Sequence, residues 1–291
     1  MPEAPLDDIT RRPMAVIGAG TLGRRIALML ATRGGEVRIF DIAGDQRAAA
    51  IGFVERELPG LIERLPGASP GSVEAASDLG SAVAGTWLVI EALPERLELK
   101  RQVFTELDRL SPSDAILATN SSSYPSGELI DGVSRRERVL NTHFYMPPVS
   151  IAVEVMSCGH TDERVIDLLM QTLPAYGLVP FRVRSESVGF IYNRIWAAIK
   201  REALAVVAEG VATPAEVDSI FELSLGARRG PFRAMDDVGL DVVLDIEEHY
   251  AAVRDGIPDS PRQLLRQYVD RGWLGVKRGR GFYDDYGDGA T

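Results

Sequence analysis

Two regimes of apolar patterning divide this 291-residue chain. Between Met14 and Arg184, short apolar runs alternate with longer stretches whose apolar residues recur every three or four positions. The runs read as buried strands and the periodic stretches as amphipathic helices. Strands are predicted at Met14–Ile17, Val37–Phe40, within TWLVIEAL (86–93), at AILATN (115–120), VLNTHFYM (139–146), IAVEVM (151–156) and from Leu178 to Arg184. Helices are predicted through Leu22, Ile26, Met29 and Leu30, over Gln46–Leu65 with a break at Pro59-Gly60, over Pro94–Leu110, and from Asp162 to Ala175. PGASPGS (66–72) reads as a loop and residues 1–12 as a polar lead-in. After Ser187 the pattern changes. GFIYNRIWAAIKREALAVVAEG (189–210) is long, apolar and helical, and Thr213-Pro214 opens another helix with Thr as N-cap and Pro at its first position. Helical patterns recur over 238–252 and 261–273, and nothing after residue 190 reads as a buried strand.

The strand–helix alternation predicts an α/β class with helices on both faces of an open sheet. Residues 1–184 form this first domain in our reading, and residues 185–291 an all-α second domain. The first strand turns directly into Gly18, Gly20 and Gly23 at G-x-G-x-x-G spacing, then a helix, a second strand and Asp41. This ordered set marks a Rossmann-type dinucleotide site. Gly18 permits the tight turn, Gly20 lets the backbone approach a pyrophosphate, and Gly23 lets the helix pack on the strand. The N–H groups of Thr21, Leu22 and Gly23 and the helix dipole face the phosphates. Asp41 accepts from the adenosine ribose, and its charge favours NAD over NADP. Arg24 and Arg25 either add charge near the pyrophosphate or are simply exposed.

The net charge of −10 argues against a nucleic-acid binder, whose affinity rests on neutralising phosphates. The single cysteine, Cys158, excludes an internal disulfide framework, reads as a small packed residue and fits a reducing compartment. No apolar run is long enough to span a bilayer, and the N-terminal segment lacks a signal core, so a cytoplasmic protein without a membrane partner is expected.

The polar residues worth weighing stand at the ends of predicted strands, where an open sheet binds ligands. Asn120 and Ser121–Ser123 close one strand, His143 lies on the next and Glu154 on the one after; Asn193 opens the long helix. If the strands are neighbours, these groups converge at the crevice between the domains. His143 is the candidate general acid/base, because imidazole takes and returns a proton near neutrality. Glu154, an acid in an apolar strand that needs a partner, would fix its tautomer. Ser122 and Asn193 would hold a substrate oxygen. A strand histidine is also a common structural residue, and a serine run also caps helices. Glu95 and Lys100 either reach the cofactor or are solvated; His160 and His249 read as surface residues.

The ordered segments VIGAGTLGRRIA, IEALPERLELKRQVF, ILATNSSSY, THFYMPP with VEVM, VGFIYNRI, GARRGPFRAMDDVGLD and GVKRGRGFYDD carry a resemblance that runs from about residue 13 to 286. In these the chain resembles the short, two-domain L-3-hydroxyacyl-CoA dehydrogenases. The resemblance implies His143 as acid/base, Glu154 as its orienting carboxylate, Ser122 at the reacting oxygen and Asn193 as a further polar group. It implies Glu95, Lys100, Asn120 and Asp41 as cofactor-site residues, NAD as cofactor, no metal, and a homodimer through the helical domain. The chain departs from the family in three places. A phenylalanine-asparagine-proline step becomes Phe144-Tyr145-Met146-Pro147-Pro148, and the step from His143 to Glu154 is shorter. The stretch from Asp41 to Ala75, where the family carries a lysine-rich hairpin that helps hold CoA, is short and has no lysine. The substrate is therefore expected to be a 3-hydroxyacyl compound, linked to CoA or a carrier, or a hydroxy acid without CoA.

Two other readings stay open on sequence. A β-hydroxyacid dehydrogenase or imine-reductase-like enzyme would carry a lysine early in the long helix, where this chain has Asn193-Arg194 and reaches Lys200 only about two turns on. A non-catalytic NAD(H)-binding protein would not need Ser122, His143, Glu154 and Asn193 together.

Overall fold

The computed structural model describes residues 11–286, so most of the expected polar lead-in, residues 1–10, lies outside the described residues. The chain divides between Ile191 and Tyr192 into two compact units.

The first unit is an eight-stranded sheet in the order β3-β2-β1-β4-β5-β6-β7-β8. Its strands are β1 (Met14–Ile17), β2 (Glu36–Phe40), β3 (Ser72–Ala75), β4 (Leu88–Glu91), β5 (Ile116–Thr119), β6 (Val139–Phe144), β7 (Ala152–Ser157) and β8 (Val179–Val183). All neighbours pair in parallel except β6 and β7. The central parallel strands β1, β4 and β5 are buried along their whole length because both faces are covered. Met14, Val16, Leu88 and Ile90 point to one face, packed by Ile26 and Leu30 of α1 (Thr21–Leu30) and Val54 of α2 (Gly44–Ile62). Ala15, Ile17 and Val89 point to the other, packed by Val83 of α3 (Leu79–Val83) and Phe104 and Leu107 of α4 (Leu97–Leu110). Beyond β7, α5 (Glu163–Thr172) returns the chain to β8. The doubly wound α/β sheet followed by a helical region is the fold expected from the sequence.

The structure corrects the sequence reading of this first unit in three places. Strand β3 follows the predicted loop without having been foreseen, because SVEA at the sheet edge is largely exposed and has no apolar run to announce it. Helix α2 passes through Pro59 without the expected break. A proline removes one N–H bond but its carbonyl still accepts, here from Glu63 N–H at 3.2 Å, and the lost bond falls in the last turn. Helix α3 was also not foreseen; it is five residues long and is held by Asp78, whose side chain accepts from Ser81 N–H at 2.8 Å.

The second unit consists of α6 (Tyr192–Ala208), α7 (Pro214–Leu225), α8 (Pro231–Val238), α9 (Leu240–Val253) and α10 (Ser260–Val269). No strand occurs among its described residues. Thr213 caps α7 as expected, in a reciprocal box with Glu216. Leu204, Phe232, Met235, Leu240, Val243 and Leu265 form its core. Two buried aspartates tie the C-terminal segment down. Asp218 accepts from Phe232 N–H and Tyr283 O–H, both at 2.8 Å, and Asp236 accepts from Phe282 and Tyr283 N–H, both at 3.0 Å.

Candidate active site

The glycine turn has the shape a dinucleotide needs. Gly18 has φ +110°, and a β-carbon there would stand 2.5 Å from the Ala92 carbonyl oxygen. A β-carbon on Gly23 would overlap the Gly18 carbonyl oxygen, so only glycine lets α1 close on the turn. At Gly20 a β-carbon would meet nothing within 4 Å: the space above the helix start is open. Gly20 is the N-cap of α1 and supplies no side-chain acceptor, so no cap side chain claims the first-turn N–H groups of Thr21, Leu22 and Gly23. An open cradle beside uncapped N–H groups fits a pyrophosphate. Asp41, just past β2, accepts from Ala19 N–H at 2.8 Å and Ala43 N–H at 3.0 Å, which fixes its carboxylate at the rim of this cradle.

The ends of β4 and β5 are joined by charge. Glu91, fully buried, accepts from Lys100 Nζ at 2.8 Å, Leu93 N–H at 2.6 Å and Thr119 Oγ1 at 2.6 Å. Lys100 is itself buried, and its ammonium also lies 3.4 Å from Glu95. Glu95 in turn gathers the serine turn, accepting from Ser121 Oγ at 2.9 Å and from Ser122 N–H at 2.7 Å. The Ser122 hydroxyl lies 3.3 Å from the same carboxylate. Asn120 accepts the Phe144 N–H at 2.8 Å through its side-chain oxygen, linking this turn to the strand of His143. Glu95, Lys100, Asn120 and Ser122 thus belong to one connected network, and Glu91 is its buried hub. Sequence reasoning passed over Glu91, although an acid inside LVIE is the same signal that singled out Glu154.

His143 and Glu154 are direct cross-strand partners on the antiparallel pair β6–β7. Nδ1 lies 3.1 Å from Glu154 Oε2, with the two side chains 7 % and 4 % exposed. The rings of Phe190 and Tyr145 enclose the imidazole, one stacked at 4.8 Å and the other edge-on at 4.6 Å. Tyr145 and the Ile191 N–H both donate to Glu154, at 2.6 and 2.9 Å. Neither donor nor Phe190 was foreseen; Tyr145 lies just past the end of β6, two positions on from His143, and that spacing was the available signal. Asn193 stands in the first turn of α6, half-buried. Arg24 and Arg25 lie over the Phe53 ring at 4.8 and 5.5 Å, and Arg56 joins them at 5.5 Å. Cys158 is buried, and His160 and His249 are exposed, as expected.

Comparison with known proteins agrees along the chain. Residues 13–186 match the NAD binding domain of 3-hydroxyacyl-CoA dehydrogenase, and residues 189–285 match the C-terminal domain of the same family. A probable 3-hydroxybutyryl-CoA dehydrogenase of Bacillus subtilis is 34% identical over 285 residues, covering 94% of this chain and 97% of the relative. A 5-formyl-3-hydroxy-2-methylpyridine 4-carboxylate 5-dehydrogenase of Mesorhizobium japonicum is 30% identical, covering 94% and 90%. The crystal structure of (S)-3-hydroxybutyryl-CoA dehydrogenase from Ralstonia eutropha superposes with a TM-score of 0.83 at 29% identity, covering 94% of this chain and 98% of that one. This chain belongs to the 3-hydroxyacyl-CoA dehydrogenase family and is an NAD-dependent oxidoreductase.

Proposed function

We propose that the protein interconverts a 3-hydroxyacyl thioester and its 3-keto form, with His143 moving the hydroxyl proton. The buried His143–Glu154 pair carries this reading. Bound NAD would supply the hydride acceptor at nicotinamide. An ionised Glu154 accepts from Nδ1–H, which leaves the Nε2 lone pair to take the hydroxyl proton in oxidation and return it in reduction. Glu154 orients the ring and balances the imidazolium that forms. Ser122 is the proposed contact to the reacting oxygen, and Asn193 a further polar contact to substrate. Gly18, Gly20, Thr21, Leu22, Gly23 and Asp41 would bind the pyrophosphate and ribose. Glu95, Lys100 and Asn120 would shape the nicotinamide end. Residues 1–184 then serve as the cofactor domain and 185–291 as the helical domain.

The CoA handle is the open element of specificity. Three guanidinium groups gathered on Phe53 favour a phosphate-bearing thioester, with arginine in place of lysine. The likeness to a pyridine-carboxylate dehydrogenase favours a second reading, a hydroxy compound without CoA. A homodimer through the helical unit is part of the proposal, because Ile195, Ile220, Leu223 and Leu225 are each more than half exposed on that unit.

NADH oxidation with acetoacetyl-CoA, set beside simple thioesters, 3-keto acids and small ketones, tests the reading, with His143→Ala as control. His143-dependent turnover of the CoA ester is expected. Activity on the carrier-free compounds alone would select the second reading, and silence on every substrate would overturn both.

A further inference from the structure

The Glu154 carboxylate is held by more than its histidine. Its Oε2 faces His143 Nδ1 at 3.1 Å and also accepts the Tyr145 hydroxyl at 2.6 Å. Its Oε1 accepts the Ile191 N–H at 2.9 Å. The tyrosine bond is the shorter of the two to the shared oxygen, in the range of a charge-assisted O–H···O⁻ bond. The tyrosine ring also stands edge-on against the imidazole, so one side chain touches both members of the pair. Tyr145 belongs to the segment Phe144-Tyr145-Met146-Pro147-Pro148 that follows His143.

We propose that Tyr145 is a positioning residue of the His143–Glu154 pair, drawing charge from the carboxylate oxygen that His143 faces and fixing that carboxylate's rotamer. The inference rests on the reading of His143 as the acid/base. A carboxylate that accepts several hydrogen bonds is held ionised, and each added donor spreads its charge. The imidazolium leaning on it is then less stabilised. On β8 Phe181 stands opposite Glu154, Phe190 covers the ring, and Arg25 donates to the Pro147 carbonyl of the connecting loop at 3.0 Å.

The sequence holds three histidines, so the imidazole C–H resonances of the whole protein can be followed by NMR and that of His143 identified by its loss in His143→Ala. In Tyr145→Phe, which keeps the ring, the His143 midpoint moves up by about half to one pH unit, and those of His160 and His249 stay put. The acid limb of kcat/KM for oxidation of 3-hydroxybutyryl-CoA moves in the same direction. In a Glu154→Gln background the same change gives no shift, which a general loosening of the fold would not reproduce. An unmoved midpoint in Tyr145→Phe overturns the proposal. The two readings fail separately: turnover retained by His143→Ala removes the acid/base role, whereas an inactive His143→Ala with an unmoved midpoint removes only the role of Tyr145.

Discussion

Glu154 stands directly across the β6–β7 ladder from His143, and the 3.1 Å contact between them is buried. A neutral amide in that place keeps the shape and loses the charge that selects the Nδ1–H tautomer. Glu154→Gln is therefore expected to lower kcat about 10²-fold or more, within the range of general acid–base catalysis, with NADH affinity unchanged. Steady-state kinetics together with NADH fluorescence titration checks both halves. Wild-type turnover in this variant would separate Glu154 from the chemistry.

Gly20 and Gly23 make opposite demands. Gly20→Ala places a methyl in open space at the start of α1, so stability should change by less than about 1 kcal/mol while NADH binding weakens about tenfold or more. Gly23→Ala forces a methyl into the Gly18 carbonyl and should cost more than about 2 kcal/mol in unfolding free energy. Urea unfolding and NADH titration of the two variants distinguish a ligand contact from a packing contact.

Asp108 and Arg138 predict a pH dependence. Burial raises the Asp108 carboxyl, but the Arg138 hydrogen bond, the Ser134 N–H and the charges of Arg138 and Arg135 outweigh it and hold it below its ordinary value. A depressed folded value contributes stability that is present above the unfolded carboxylate value, about 3.9, and lost as pH falls through the folded one. Asp108→Asn leaves the buried Arg138 guanidinium without its counter-charge and should cost about 3 kcal/mol at pH 7. The gap between variant and parent should narrow as the pH is lowered below about 4. Urea denaturation at several pH values measures this; a gap that widens in acid would contradict it.

On α7, Ile220 and Leu223 are 65% and 86% exposed and lie one helical turn apart. If they meet a second copy, Leu223→Glu should shift the protein from dimer to monomer in analytical ultracentrifugation. A parent protein that sediments as a monomer would remove the dimer from the proposed function.

Elements with a dense apolar signal were legible in the sequence. The β1–α1–β2 unit, the strand carrying His143 and the Thr213 cap all follow from local pattern. Strand β3 was not legible, because an exposed edge strand owes its existence to its neighbour β2 rather than to its own residues. The antiparallel turn of β7 was equally hidden, since apolar alternation carries no direction. In the candidate site, His143 and Glu154 could be suspected from residue type alone. The network around Glu91 could not, because it depends on which strand ends are adjacent. Lys100 illustrates the difference: on sequence it could be a solvated helix residue, and in the fold it is 1% exposed.

The Glu91–Lys100 contact spans only nine residues of chain, from the end of β4 to the first turn of α4. Its loop-closure entropy is small, so the contact can form as soon as that hairpin of strand and helix collapses. The acid buried at the end of β4 therefore carries its counter-charge on the same short stretch of chain, and its neutralisation does not depend on any distant segment.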